Sequence, residues 1–221
     1  ELSARAEKVV SIELDDRLLP VLEETLSDCE NVKVVHGDVM KVNLKEFLQN
    51  EFSGMEVVVC ANLPYYITSP VIMRLLEEKL PLKAITVMVQ KEAADRLCAL
   101  PGTRACGAVS ISVRYYAEPE ILFQVSRGSF MPPPNVDSSV IRLQLREQPA
   151  VAIQDERLFF RLVKAAFGQR RKTILNSVAS GLSVGKGTVE EACREAGVIP
   201  GARAEQLTLE SFASLANALS A

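Results

Sequence analysis

The sequence has very little histidine, no closely paired cysteines and no long apolar run. Its single histidine is His36, and its five cysteines are scattered without any Cys-x-x-Cys pair. We therefore expect neither a metal site nor a disulfide framework, and a reducing cytoplasm is the expected location. Histidine-based acid–base catalysis is not expected, because His36 follows a run of valines where a structural role is the commoner one. No apolar stretch approaches the roughly 20 residues that a membrane span needs.

Composition and charge indicate a folded chain with one positive end. The 221 residues are 48% hydrophobic and 24% charged, which allows one large domain and a small one. The net charge of -3 argues against a uniformly basic nucleic-acid binder. The charge is uneven, however. From residue 151 onward nine Lys or Arg face seven Asp or Glu, whereas the first 150 residues carry 16 against 21.

Strand and helix patterns alternate through the first 145 residues. This alternation predicts an α/β fold whose mostly parallel sheet is covered on both faces. After Gln148-Pro149 every apolar stripe has helical spacing. We therefore predict an α/β domain over residues 1–149 and a small all-helical domain over residues 150–221. The predicted strands are residues 8–12, 32–35, 57–61 and 84–89, with a closing pair at 121–125 and 138–145.

The most specific motif is Asn62-Leu63-Pro64-Tyr65, which ends the apolar run 57–61. A buried strand that ends in an amide, a rigid proline and an aromatic ring can present acceptors and a stacking face to a flat, amine-bearing ring. A strand-to-helix turn without chemistry gives a similar string, so the context matters. Ser69-Pro70, predicted as the N-cap and first residue of a helix, indicates a strand–loop–helix unit. Open α/β sheets bind ligands at such carboxyl edges.

Two acidic residues, Glu13 and Asp38, follow the first two predicted strands. A carboxylate at that edge of a nucleotide-binding sheet can accept hydrogen bonds from both ribose hydroxyls. Each one alone is also typical of a solvated helix start. With Asn62 they make three consecutive strand ends that carry ligand-type side chains, which is a far more specific pattern.

Two further segments carry candidate binding residues. Phe130 precedes Met131-Pro132-Pro133-Pro134, and the prolines stiffen the loop so that the ring can stack on a base. A core position at a strand end is the alternative for Phe130. The string Arg170-Arg171-Lys172 lies in the positive C-terminal part, where it indicates phosphate contact, although a charge run is usually a solvated face.

These motifs together resemble a known family. The strings NLPYYITSP and AFGQRRKTILNSV, and the Phe130 loop, are similar to those of the small-subunit ribosomal RNA adenine dimethyltransferases, whose loss confers kasugamycin resistance. The resemblance runs from Val9 to the terminal helix. It implies a class I S-adenosylmethionine-dependent methyltransferase with a Rossmann-like sheet. It also implies methylation of N6 on two adjacent adenosines near the 3′ end of that RNA. The partner implied is an immature small ribosomal subunit, and we expect a monomer.

The resemblance also implies roles for individual residues. Glu13 and Asp38 would hold the ribose and adenine amino group of S-adenosylmethionine, Leu14 and Val39 would flank that adenine, and Asn62 would complete the set. The rings of Tyr65 and Phe130 would sandwich the target adenine, and the string from Arg170 to Lys172 would contact RNA.

Chemistry at the motif can be argued from the residues themselves. No Asp, Glu or His stands there to deprotonate the amine. The Asn62 side-chain oxygen and the Leu63 carbonyl can accept the two amino hydrogens and so direct the nitrogen lone pair at the methyl group. Pro64 keeps that backbone rigid, and the faces of Tyr65 and Phe130 can stabilise the developing positive charge.

Two departures from the family pattern lead to further expectations. Only twelve residues precede Glu13, although the glycine-rich loop should lie about 20 residues before it. We therefore expect a chain truncated at its N-terminus, without the first strand and loop, with Glu1-Leu2-Ser3 beginning the helix that follows them. Residues 109–113 alternate with period two, as strands do, but the family has a helix there and we predict a helix.

Two other functions stay open at this point. The large-subunit ribosomal RNA dimethylase that confers macrolide resistance shares the same chemistry. A ribosome-assembly factor that binds RNA without catalysis would explain a missing glycine loop.

Overall fold

The computed structural model describes residues 1–220, and the chain packs as two units. The first unit contains residues 1–58 and 66–82, and the second contains residues 59–65 and the chain from residue 83 onward. The chain therefore passes from one unit to the other on either side of the motif Asn62-Leu63-Pro64-Tyr65.

The first unit holds a two-stranded parallel sheet and three helices. The register pairs Val9 with Val32 and Glu13 with His36, so both strands end at the same edge. Asn43 caps the second helix by accepting the backbone N–H of Glu46 at 3.3 Å. The elements are β1 (Val9–Glu13), α1 (Leu19–Thr25), β2 (Val32–His36), α2 (Leu44–Glu51) and α3 (Thr68–Glu77).

Two local predictions for this unit are wrong. A single 3₁₀ turn over Tyr65–Ile67 runs directly into α3, so the helix begins before the Ser69-Pro70 pair and its N-cap is Ile67. Residues 1–8 form turns and loop in place of the helix expected to begin at Glu1-Leu2-Ser3. Asn31 fixes that segment, since its side-chain amide donates to the carbonyls of Ser3 and Ala6 at 2.9 Å each.

The second unit is built on a four-stranded sheet of order β3-β4-β6-β5. Strand β6 runs antiparallel to both of its neighbours, with Ile141 opposite Val87 on β4 and Ile121 on β5. The prediction of a mostly parallel sheet thus holds for the pair β1–β2 and fails for the two pairs that β6 makes with β4 and β5. The link from β5 to β6 carries no crossover helix, which a parallel pair would need. The strands are β3 (Val57–Asn62), β4 (Leu82–Gln90), β5 (Ala117–Val125) and β6 (Ser138–Leu145).

Strand β3 lies at an edge of this sheet and is less buried than predicted. Val57 is buried, but Val58 is 60% exposed and Cys60 is also exposed. An edge strand has a neighbour on one side only. The apolar run 57–61 therefore indicated the strand correctly but not its degree of burial.

Helices make up the rest of the second unit, and those after residue 150 share one hydrophobic core with Ile111 and Tyr115. Helix α5 confirms the helix predicted for residues 109–113. Its Tyr115 ring lies 5.3 Å from the Phe159 ring on α6, and Tyr116 donates to Glu156 at 2.7 Å. The domain boundary near residue 149 stays a prediction. The helices are α4 (Lys91–Leu97), α5 (Ala108–Tyr116), α6 (Glu156–Gly168), α7 (Ile174–Leu182), α8 (Lys186–Glu195) and α9 (Leu209–Ala218).

Gly181 permits a very close approach of α7 to α6. A Cβ atom at this position would lie 2.4 Å from the Cβ of Ala165 and 2.9 Å from its Cα. We expect Gly181→Ala to lower the free energy of unfolding by about 1–3 kcal/mol, because the helices must move apart. Gly187→Ala in α8 is the matched control, since its Cβ would meet nothing within 4 Å. Urea unfolding measures the stability of both variants. A Gly181→Ala midpoint equal to that of the parent and of Gly187→Ala would contradict the close contact.

Neither a membrane-spanning helix nor a metal-binding group is found among residues 1–220. No helix there is long and apolar enough to cross a bilayer. No cluster of three His, Cys, Asp or Glu side chains is arranged to hold a metal ion in the described part of the chain. The five cysteines are free thiols. Burial raises the pKa of the Cys98 thiol to about 11, so this thiol stays protonated at neutral pH.

Candidate active site

The carboxyl ends of β1 and β2 are held together around Glu13. The backbone N–H of Gly37 donates to the carbonyl of Glu13 at 2.9 Å, and the backbone N–H of Asp15 donates to the Glu13 Oε1 atom at 2.8 Å. One carboxylate oxygen is thus used to fix the side chain. The other oxygen has capacity to accept a hydrogen bond from a ligand hydroxyl.

Leu14 and His36 lie beside this carboxylate. Leu14 is 62% exposed, and the His36 Nε2 atom lies 3.2 Å from its carbonyl oxygen. This contact supports the structural role predicted for His36. Arg17 donates hydrogen bonds to Asp15 and lowers the pKa of that carboxyl to about 2, so Asp15 stays ionised and engaged with Arg17.

Asp38 opens a tight turn after β2. Its Oδ1 atom accepts the backbone N–H of Met40 at 2.9 Å, and its carbonyl accepts those of Lys41 and Val42 at 2.8 and 3.0 Å. The Lys41 ammonium lies 3.6 Å from the Oδ2 atom. These bonds orient the carboxylate, and the turn places half-buried Val39 next to it.

The residues predicted to contact the target base belong to the second unit. Asn62 ends β3 with an exposed side chain, and Leu63 behind it is half-buried. The Tyr65 hydroxyl lies 2.7 Å from the hydroxyl of Ser138, which is fully buried at the start of β6. This bond fixes the direction of the Tyr65 ring.

Phe130 lies in the loop that joins β5 to β6, at the same edge of the sheet. Val125 and Gln90, which end β5 and β4, both pair with Ser138, the residue that contacts Tyr65. The loop therefore begins and ends beside the Tyr65 hydroxyl. Phe130 itself is half-buried and follows a 3₁₀ turn.

Arg127 and Asp137 close this loop. The Arg127 backbone N–H donates to the Asp137 carboxylate at 3.0 Å, and its guanidinium donates to the Asn135 carbonyl at 3.2 Å. The Asp137 carbonyl in turn accepts the backbone N–H of Lys91 at the start of α4. These bonds restrain the loop in addition to its three prolines.

The basic string Arg170-Arg171-Lys172 forms the turn between α6 and α7, and all three residues are exposed. The Arg170 guanidinium donates to the Cys106 carbonyl at 3.3 Å, which ties this turn to the loop before α5. Arg171 and Lys172 therefore present their charge outward. Thr173 then caps α7 by accepting from Asn176.

Several residues that position the site were missed from the sequence. Ser138 contacts a tyrosine 73 residues away, and the Arg127 bonds span eight and ten residues. No local pattern signals such partners, although Asp137 stood within the proline-rich segment. Of the predicted cofactor residues, Glu13, Leu14, Asp38 and Val39 belong to the first unit, whereas Asn62 belongs to the second. The predicted target and RNA residues lie on the second, namely Asn62, Leu63, Pro64, Tyr65, Phe130, Arg170, Arg171 and Lys172.

Comparisons with known proteins show which family the chain belongs to. The family model described as Ribosomal RNA adenine dimethylase matches residues 1–221. Ribosomal RNA small subunit methyltransferase A of Geobacillus sp. (strain WCH70) is 49% identical over 223 residues, covering 99% of this chain and 77% of the relative. The protein of the same name from Shouchella clausii is 49% identical over 222 residues, covering 99% and 75%.

Two solved structures share the fold. The 23S rRNA methyltransferase ErmE matches with a TM-score of 0.72 and 27% identity, covering 100% of this chain and 85% of ErmE. A dimethyladenosine transferase from Plasmodium falciparum matches with a TM-score of 0.75 and 24% identity, covering 97% and 82%. The resemblance inferred from the motifs is thereby confirmed, together with the α/β methyltransferase fold. The chain belongs to the ribosomal RNA adenine dimethylase family, and its activity is that of an adenine methyltransferase acting on ribosomal RNA.

Proposed function

We propose that this chain transfers methyl groups from S-adenosylmethionine to N6 of two adjacent adenosines near the 3′ end of small-subunit ribosomal RNA. The observation that carries the proposal is the hydrogen bond between the Tyr65 hydroxyl and the buried hydroxyl of Ser138. This bond holds the Tyr65 ring at the point where the loop that contains Phe130 begins and ends. An exposed amide, Asn62, precedes it by three residues. A fixed ring next to exposed acceptors suits a flat base that carries an amino group.

The residues of the first unit fit the methyl donor. Glu13 and Asp38 each use one carboxylate oxygen for a backbone N–H and keep acceptor capacity, which suits ribose hydroxyls and an adenine amino group. Exposed Leu14 and half-buried Val39 offer apolar surface for the adenine faces. When bound, S-adenosylmethionine supplies an electrophilic methyl group on a sulfonium.

The target amine is activated by position. The exocyclic nitrogen is a poor nucleophile because its lone pair is delocalised into the ring. The Asn62 amide oxygen and the Leu63 carbonyl would accept its two hydrogens and so direct its lone pair away from the ring for attack on a methyl group. Tyr65 and Phe130 stack on the base and stabilise the positive charge that forms on nitrogen. After methyl transfer the nitrogen loses a proton to water. The target base must leave its stack in the RNA to reach Tyr65 and Phe130.

The small subunit is favoured over the large one as the substrate. The relatives named for small-subunit methylation are 49% identical to this chain, whereas the 23S rRNA methyltransferase ErmE is 27% identical. Membership of the dimethylase family speaks against an assembly factor without catalysis. The monomeric state and the cytoplasmic location stay predictions.

Labelled methyl transfer tests the proposed function. Small subunits that lack the modification are incubated with the enzyme and labelled S-adenosylmethionine, and the RNA is digested to nucleosides. We expect label in N6,N6-dimethyladenosine, on two neighbouring positions near the 3′ end. Large subunits are the matched substrate control. Label in the large subunit alone, or in a base other than adenine, would overturn the proposal.

The exposed cations of the second unit provide a salt-dependent prediction. We expect Arg171→Ala with Lys172→Ala to weaken subunit binding, and to reduce the slope of log affinity against log salt by about one to two, because phosphate contacts release counterions. Lys186→Ala, at the start of α8, is the control with an exposed lysine. Filter binding between low and moderate salt measures the slopes. An unchanged slope in the double variant would mean that this string is a solvated face.

A further inference from the structure

Arg74 on α3 forms a fork of hydrogen bonds to the turn that carries Asp38. Its two terminal guanidinium nitrogens donate to the carbonyls of Val39 and Val42 at 2.5 and 2.7 Å. Its Nε atom donates to Glu78 one helical turn further on. The Arg74 side chain is only 18% exposed, so these bonds are shielded from water.

The turn's own hydrogen bonds and the fork use different backbone carbonyls. The carbonyl of Asp38 accepts the N–H groups of Lys41 and Val42, which closes the turn internally. The carbonyls of Val39 and Val42 accept instead from the Arg74 guanidinium. Without Arg74, both carbonyls would need new donors, and the turn would be free to shift.

We infer that Arg74 is a positioning residue for cofactor binding. It sets the place of Asp38 and Val39 by clamping the backbone on both sides of Met40, and it touches neither the cofactor nor the target base. This inference rests on the proposed function, in which Asp38 and Val39 hold the adenine of S-adenosylmethionine. Lysine cannot fully replace Arg74, because an ammonium group lacks the planar fork of donors that bridges two carbonyls.

Helix α3 gives the Arg74 side chain a rigid support. Helix α3 begins three residues after Tyr65, and Arg74 lies six residues into that helix. Ile72, Leu75 and Leu76 on the same helix are buried, so the helix is a firm base for the guanidinium. Glu78 pairs with Arg74 from the outer side and is more exposed, with 35% of its side chain accessible.

The test compares Arg74→Ala, Arg74→Lys, Glu78→Gln and Asp38→Ala in the enzyme. Calorimetry with S-adenosylhomocysteine gives cofactor affinity, filter binding gives subunit affinity, and single-turnover methylation gives the rate at saturating cofactor. We expect Arg74→Ala to raise the dissociation constant about tenfold or more, since two hydrogen bonds to the turn are lost. The rate at saturating cofactor and the subunit affinity should change by less than about twofold, because Arg74 contacts neither substrate.

Arg74→Lys should recover part of the affinity, and Glu78→Gln should stay near the parent enzyme. If Arg74→Ala does not fold, Arg74→Lys is measured in its place. We then expect its dissociation constant for S-adenosylhomocysteine to rise at least about threefold while its melting temperature stays unchanged. Parent-like cofactor affinity in the folded Arg74 variants, with Asp38→Ala weakened, would overturn the inference. Parent-like affinity in Asp38→Ala itself would instead overturn the proposed cofactor site.

Discussion

Asn62→Ala is expected to slow the methyl-transfer step by about 100-fold or more while leaving RNA affinity nearly unchanged. In the proposed mechanism the amide oxygen positions a single nitrogen, and a misplacement of about 1 Å between reacting groups costs on the order of 100-fold in rate. We propose that RNA is held instead by a broad surface of phosphate contacts, among them those of Arg171 and Lys172 on the exposed turn after α6. Single-turnover methylation and filter binding separate the two quantities.

Two variants sharpen this experiment. Asn62→Asp keeps an oxygen that can accept an amino hydrogen, so we expect it to retain more activity than Asn62→Ala. Asn50→Ala, on the exposed face of α2, should behave as the parent enzyme. The positioning role would be refuted if Asn62→Ala lost RNA binding and rate in the same proportion.

Phe130→Ala is expected to lower the rate by roughly 10-fold to 100-fold, because stacking of a base on an aromatic ring contributes about 1–3 kcal/mol. The half-buried ring follows a turn that Arg127 and Asp137 restrain, so little of this effect should come from a change of the loop. Steady-state kinetics with small subunits as the substrate measure the loss.

The matched variants distinguish a stacking ring from a merely apolar side chain. Phe130→Tyr should keep most of the rate, and Phe130→Leu should not. Phe123→Ala removes a ring that is 57% exposed on β5 and should leave the rate unchanged. A Phe130→Leu enzyme with the parent rate would show that the ring has no stacking role.

The strand ends that carry the site could be predicted because the information is local. β-branched runs followed by a carboxylate or an amide mark β1, β2 and β3, and their bounds differ from the predicted ones by a residue or two. Glu13 and Asp38 then share an edge because parallel strands end on the same side. The roles of these residues in binding the cofactor and the target base were predicted only from the family resemblance.

Helix α5 shows why periodicity alone misleads. Residues 109–113 alternate apolar and polar side chains, yet Ser110 and Ser112 are buried as well as Ile111 and Val113. The helix is enclosed on several faces, so no polar stripe marks a solvent side. Ser110 is accommodated because its hydroxyl donates to the Arg96 carbonyl at 2.6 Å and accepts the Gly107 N–H at 3.0 Å.

Long-range partners could not be predicted from one sequence. The Tyr65–Ser138 bond and the Arg74 fork join segments that are 73, 35 and 32 residues apart. The antiparallel direction of β6 is likewise a property of the assembled sheet, since the local pattern of a strand is the same in both directions. These contacts decide how firmly the predicted residues are held, and they emerged only from the structure.

We propose that the site activates the amine by position and without a general base. The most direct measurement is the single-turnover rate of methylation at saturating cofactor between about pH 6.5 and 8.5, where an unperturbed histidine or a tuned carboxylate would titrate. The positioning account predicts a rate that varies little across this range. A rate that rises tenfold per pH unit would reveal a general base and contradict the roles given to Asn62, Leu63 and Tyr65.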